Sequence, residues 1–184
     1  MRRGLFPILM MLLLSGSSLT LTGCPLFSKP IRFDVAWATP QGEPVYIEDS
    51  VYDDSWRFSS GILSCCWKKA SKIAVLAPPF PPVPHKVRIR WFNYKQQKYY
   101  EATVPLPQDS KKIMLSLPNP DKDNLIITTG VQPDGQAVVW FSDGLSEHSG
   151  TWIEVGRAQA KEVPGDPNDH KAQTEEMREL GEIP

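Results

Sequence analysis

The chain has 184 residues, with 20 basic and 21 acidic side chains and a formal charge of −1. That length is one domain's worth and is enough for a real hydrophobic core. The near-neutral balance excludes the basic field that holds nucleic acid.

The first segment reads as a secretory signal. Arg2 and Arg3 give a positive start, residues 5–14 form an apolar run, and residues 15–18 are small and polar. The run is too short to cross a bilayer as a helix, which takes roughly 20 residues. Leu21-Thr22-Gly23-Cys24 closes the signal as a lipobox. A small residue before the cysteine admits a signal peptidase, and the Cys24 thiol then carries a diacylglycerol. Two or more acyl chains give stable attachment where one is marginal. Cleavage after residue 23 leaves 161 residues, with 18 basic and 21 acidic side chains and a charge of −3. No polybasic patch follows Cys24, so attachment rests on the lipid. Pro25 stands where an aspartate would commonly retain a lipoprotein in the inner membrane. An outer-membrane location facing the periplasm is therefore expected.

Residues 24–30 read as a tether, 31–160 as a β-rich domain and 161–184 as a polar tail. Residues 31–38 alternate, with Ile31, Phe33, Val35 and Trp37 on one face and Arg32 and Asp34 on the other, as in a half-buried strand. Pro40-Gln41-Gly42 is a turn, and residues 45–52 form a second strand. Residues 56–67 are expected as a loop and then a short buried strand. Residues 73–76 are a brief apolar run that enters Pro78-Pro79-Phe80-Pro81-Pro82-Val83-Pro84. Only Phe80 and Val83 can donate to a ladder there, so this is an edge or a polyproline-like connector.

The clearest hairpin follows, residues 87–92 returning as 98–104 around a turn at 95–97. Its long basic side chains lie outward, over the sheet. Residues 111–117 are expected as a short helix. Residues 125–131 and 136–141, joined by Pro133-Asp134-Gly135, make a second hairpin, and 151–155 add a last strand. These short β-branched and aromatic segments between turn signals predict an all-β fold, an antiparallel sandwich in a single domain. Residues 169–180 are helix-compatible with Gly181 as a stop, but lack a wide apolar stripe, and are expected as a loosely held tail.

Cys65 and Cys66 sit in an oxidising compartment with no other partner once Cys24 is lipidated. Two readings stand: a vicinal disulfide, or two small side chains on opposite faces of a strand. Adjacent Cα atoms lie ~3.8 Å apart where ordinary disulfides want at least ~4.4 Å. A closed ring would be a stiff apolar ledge or a reducible switch. No second Cys/His cluster completes a metal site, and no cofactor motif is present. His85, His148 and His170 read as turn or surface histidines. Glu48, Asp49, Asp53 and Asp54 read as a wet acidic turn rather than a calcium loop. Gly-x-Ser-x-Gly, His-Glu-x-x-His and phosphate-loop motifs are absent, so the chain is expected to bind rather than catalyse.

Trp37, Trp91 and Trp140 fall on strand patterns and are expected in the core. Trp56, Phe58 and Phe80 lie in irregular segments, where a large ring closes the core's edge or waits for a partner.

Gly61-Ile62-Leu63-Ser64-Cys65-Cys66-Trp67 resembles the Ser-Cys-Cys hallmark of a family of bacterial lipoproteins of unknown function. Val87-Arg88-Ile89-Arg90-Trp91-Phe92, with Lys98-Tyr99-Tyr100-Glu101-Ala102-Thr103-Val104, resembles that family's hairpin. Gly135-Gln136-Ala137-Val138-Val139-Trp140 and Gly156-Arg157-Ala158-Gln159-Ala160 resemble its closing blocks. Similar lipoproteins often occur beside type VI secretion effectors, including lipases. The resemblance implies an immunity role, in which a lipid-tethered protein neutralises a toxin arriving in the periplasm. It defines no catalytic residues. Arg57, Phe58, Trp67 and Phe80 are the contact candidates for such a protein partner. The alternative is an envelope-maintenance lipoprotein that binds a fixed partner.

Overall fold

The computed structural model describes residues 31–118 and 125–184. The expected signal over 1–23, the expected lipid site Cys24 and the expected tether to residue 30 lie outside the described residues. Among the described residues eleven strands form two sheets packed face to face. The first sheet holds β10 (Trp152–Gln159), β9 (Gln136–Ser142), β8 (Ile126–Val131), β1 (Asp34–Ala38) and β5 (Lys72–Ala74), in that order. The second runs β11 (Lys161–Val163), β7 (Lys98–Pro105), β6 (Lys86–Asn93), β2 (Val45–Tyr52) and β3 (Trp56–Phe58), with β4 (Gly61–Leu63) also paired to β2.

Both hairpins form in the expected places, with Trp91 opposite Tyr100 and Thr128 opposite Trp140. One pairing departs from an antiparallel plan: β1 runs parallel to β8, with Trp37 beside Thr129. The reason is topological. The chain leaves β1 for the other sheet, returns along one edge of β1 as β5, and reaches the other edge as β8 only after a second passage through β6, β7 and α1, and such a long crossover allows either direction.

Period-two alternation puts Val35, Trp37, Ile127, Val139 and Phe141 on one inner face, and Val45, Ile47, Val87, Ile89, Trp91 and Val104 on the other. These are all buried and meet in one core. Trp37 is the link between the layers, because its indole N–H donates to Ser50 Oγ of the facing sheet at 2.8 Å. A buried donor stripped of its acceptor loses far more than the net value of the bond.

Residues 56–67, expected as a loop and then one strand, instead give two three-residue strands on the edge of β2. The alternation of β3 turns Trp56 and Phe58 inward. Trp56 stacks on Tyr52 at 4.0 Å, and Phe58 meets Trp37 edge-on at 6.5 Å. The two rings close this side of the sandwich. On the opposite side β10 bends around a bulge and continues through Ala160 into β11, passing from one sheet to the other. Gly156 makes that bend possible, since a Cβ there would lie 2.5 Å from the Pro105 carbonyl oxygen. Helix α1 (Ser110–Leu115) plugs the end of the core through Met114.

The run at 73–76 is shorter and more open than expected. Ile73 and Val75 are exposed because β5 is an edge strand whose outer face lacks a covering layer. The strand expected over 151–155 extends to Gln159, and β11 is one that the polar string Lys161-Glu162 conceals.

The C-terminal segment is docked, not loose. A 3-10 turn (Pro167–His170) is capped by Asp166, whose side chain accepts the Asn168 N–H, and leads into α2 (Lys171–Glu179). His170, Thr174 and Met177 are buried at helical spacing, and Ile183 joins them. They cover Phe92, Tyr94 and Tyr99 on the outer face of the second sheet. Contrary to a surface reading, His170 is only 7% exposed, with its ring 4.6 Å from both Phe92 and Tyr46. The Tyr99 hydroxyl donates to the Asp166 carbonyl at 2.9 Å, and Arg90 donates to the Pro164 carbonyl at 2.9 Å.

Two outcomes follow from this packing. Ser50→Ala leaves the Trp37 N–H buried without its acceptor and should lower stability by about 1–3 kcal/mol in urea denaturation. The docked tail should also weaken in acid. Burial holds the His170 pKa below its ordinary 6.5, with Glu48 and Asp169 opposing only in part. A lowered folded pKa means that the unfolded tail takes the proton first, so docking is complete above 6.5 and is lost as pH falls through the folded value. Proteolysis within the last twenty residues should therefore be faster near pH ~5 than near pH ~7.5, and His170→Phe should remove that difference.

Candidate functional site

The segment from Gly61 to Ser71 carries the chain from one sheet to the other. β4 is a strand of the second sheet and β5 a strand of the first, so the intervening residues must climb over the edge. Backbone bonds hold the climb. The Gly42 N–H donates to the Ser64 carbonyl at 3.0 Å and the Thr39 N–H to the Cys65 carbonyl at 3.4 Å. The Lys69 N–H then closes a turn on the Cys66 carbonyl at 3.1 Å, and the Ser71 N–H reaches the Trp37 carbonyl at 3.0 Å. At the crest, Cys65 and Cys66 are joined as a disulfide, S–S 2.00 Å, across a cis peptide bond. Both are half-buried.

Beyond the crest, Trp67 lies on the outer face of the first sheet. A Cβ at Gly130 would come within 2.7 Å of the Trp67 ring and 2.6 Å of the Trp140 ring, so the bare glycine is the seat for both. Trp67 meets Trp140 edge to face at 4.8 Å, and Trp140 lies 6.0 Å from Trp152. Trp140 is buried, whereas Trp67 and Trp152 are each half-exposed. Residues 143–151 fold over the same face. Their Leu145 carbonyl accepts the Ala70 N–H at 2.8 Å, and the Leu145 side chain is 53% exposed. Lys68 and Glu147 pair at 3.2 Å at the rim, both well solvated, and such a pair contributes little.

The result is an aromatic ledge, Trp67 and Trp152 on either side of Trp140, on a rigid sheet and bordered by the segments that carry Lys68, Lys69, Glu147 and the exposed Leu145. Ledges of this kind recognise apolar or aromatic groups on another macromolecule, because rings bury large area with little entropy to lose. Among the described residues no group of three His, Cys, Asp or Glu side chains is placed to hold a metal ion.

The four contact candidates do not share one surface. Trp67 is on the ledge. Arg57 points outward from β3 with its side chain 74% exposed, 3.9 Å from Asp49. Phe58, its neighbour, faces the core. Phe80 sits at the end of the sandwich near Ile31, in an open groove of about 400 Å3. Sequence reading missed that Trp67 and Trp152 flank Trp140 on one face. Tryptophans in three separate segments give no pairing until the sheet brings them together. Trp67→Ala should cost about 2 kcal/mol of stability, less than a fully buried tryptophan, and should raise the emission of the remaining tryptophans' exposed fraction to longer wavelength.

Among the described residues no helix is long and apolar enough to cross a membrane. No curated protein and no solved structure matches the chain. A family model described as a protein of unknown function, DUF2931, matches residues 22–183. That span includes the crossing turn, the tryptophan ledge and the docked C-terminal helix, and the chain belongs to this family.

Proposed function

We propose that the protein is a lipid-anchored immunity protein of the cell envelope, held by a diacylglycerol on Cys24, which binds a secreted effector and neutralises it without catalysis. The observation that carries the anchor is the lipobox Leu21-Thr22-Gly23-Cys24 behind a basic start and a ten-residue apolar run. What supports binding is the tryptophan ledge on a rigid sheet, together with the resemblance to lipoproteins that accompany type VI secretion effectors. The effector, in this reading a lipase or another envelope-directed toxin, meets the ledge, and its active site or its approach to lipid is blocked. Tight inhibition comes from a few desolvated anchors rather than from total area.

The contact set is revised by the packing. Trp67 stays, joined by Trp152 and Leu145. Arg57 stays as an exposed cation, whereas Phe80, half-buried beside Ile31 at the end where the chain enters the fold, leaves the set. Phe58→Asp would place a charge in the core's edge and report on folding, so it is a poor probe of binding.

The test is competition between strains. Deleting this gene with any neighbouring effector gene should make the strain die against a parent whose secretion system is active, and survive against one whose system is not. The mature lipoprotein should rescue it. A Trp67→Ala, Leu145→Asp form that folds should rescue less well. Equal survival in both contests would remove the immunity reading and favour an envelope protein with a fixed partner.

A further inference from the structure

We infer that the end of the sandwich at which the chain enters the fold, built from Ile31, Val75, residues 77–82 and α1, rests on the surface of the bilayer that holds the Cys24 lipid. This rests on the lipoprotein reading of Cys24 and adds an orientation to it.

The first argument is reach. Residues 25–30 alone separate Cys24 from Ile31. At most ~3.6 Å per residue, seven steps from Cys24 bring Ile31 within about 25 Å of the anchored sulfur. An eight-residue strand of this sandwich is itself about 26 Å long. The entry end is therefore the one kept beside the headgroups.

The second argument is what that end exposes. β5 runs antiparallel to β1, so Val75 emerges beside the start of β1, and the Leu76 N–H donates to Asp34 Oδ1 at 3.0 Å. Val75 is 68% exposed and Leu115 of α1 is 41% exposed. Ala77, Pro78, Pro79 and Pro82 are exposed too. A proline run offers an apolar surface with no N–H groups to strip of water, which suits an interfacial contact. Two of the acids here are engaged by protein partners, while Asp109, just ahead of α1, is exposed. Asp53 accepts the His85 and Lys86 N–H groups, and Asp54 pairs with the Lys86 ammonium. Arg32 and Lys112 are exposed at the same end, where anionic headgroups would meet them.

The opposite end differs in its turns. Its turns present Gln41, Lys95, Gln96 and Asp134, all exposed and polar. The seat of Trp67, Gly130, pairs with Ala38 at that far end of β1. Resting on the entry end therefore holds Trp67 away from the bilayer, while Trp152, in register through Ser142 and Ile126 with Asp34, stands at the end of the ledge nearer to it.

Hydrogen exchange tests the orientation without a label. The mature protein, its Cys24 thiol coupled to a maleimide lipid in phosphatidylethanolamine–phosphatidylglycerol vesicles, is compared with the uncoupled protein. Amides in peptides covering 73–83 and 110–117 should exchange about threefold or more slowly when anchored, and those covering 94–97 and 132–136 should not change. Val75→Asp with Leu115→Asp, melting as the parent does, should lose the protection. Unchanged exchange at both ends, or equal slowing at both, would overturn the proposal. Slowing that appears without vesicles and grows with protein concentration would assign this end to a second copy, and would overturn it as well. Chemical coupling makes this independent of what the cell does to Cys24. Membrane fractionation of the wild type against Cys24→Ser tests that separately, and loss of no membrane association there would remove the anchor reading alone.

Discussion

Trp37 is the residue on which the rest of the sandwich leans. Its ring fills the space between the sheets and its N–H reaches across to Ser50. Phe58 closes against its edge, and its carbonyl receives the Ser71 N–H as the chain returns from the Cys65–Cys66 crossing. One side chain and one peptide group thus join both layers, the plugged side and the aromatic ledge. The satisfied N–H matters more than the bond's own modest net value, because a layer shifted by one residue would leave a buried donor with nothing to bond.

The two outer faces are treated differently. On the first sheet the outer face of the central strands is covered by Trp67, Trp140 and the 143–151 loop, so β1 is covered on both sides and its residues from Val35 to Ala38 are all inaccessible. On the second sheet a ladder of charges runs across the strands, with Arg90 on Glu48 at 2.6 Å and Arg88 on Glu101 at 3.1 Å. These pairs are partly solvated and worth at most about 1 kcal/mol each. The remaining part of that face, Phe92, Tyr94 and Tyr99, is apolar and takes the C-terminal helix. Stability therefore comes from three aromatic contacts, the core and the two covers, and the ion pairs set register.

How legible this was varied by element. The 86–105 hairpin was plain, since Val87, Ile89 and Trp91 alternate with arginines and a polar turn follows. The docked tail was not. Its buried set is His170, Thr174, Met177 and Ile183, and only two of those four are hydrophobic, so no apolar stripe announces it. His170 is buried because a neutral imidazole can lie among rings, which composition does not report. Likewise Trp56 and Phe58 looked unattached because strands of three residues are too short to show a period.

Alternation and turn chemistry were determined by the sequence alone, because each depends on residues within a few positions of one another. That covers the β class and most strand positions. Only the tertiary structure decided which strands neighbour which, that β1 runs parallel to β8, and that Trp67, Trp140 and Trp152 share one face. Those outcomes depend on contacts between segments tens of residues apart. Their free energies are set by mutual burial, a quantity that no single segment carries.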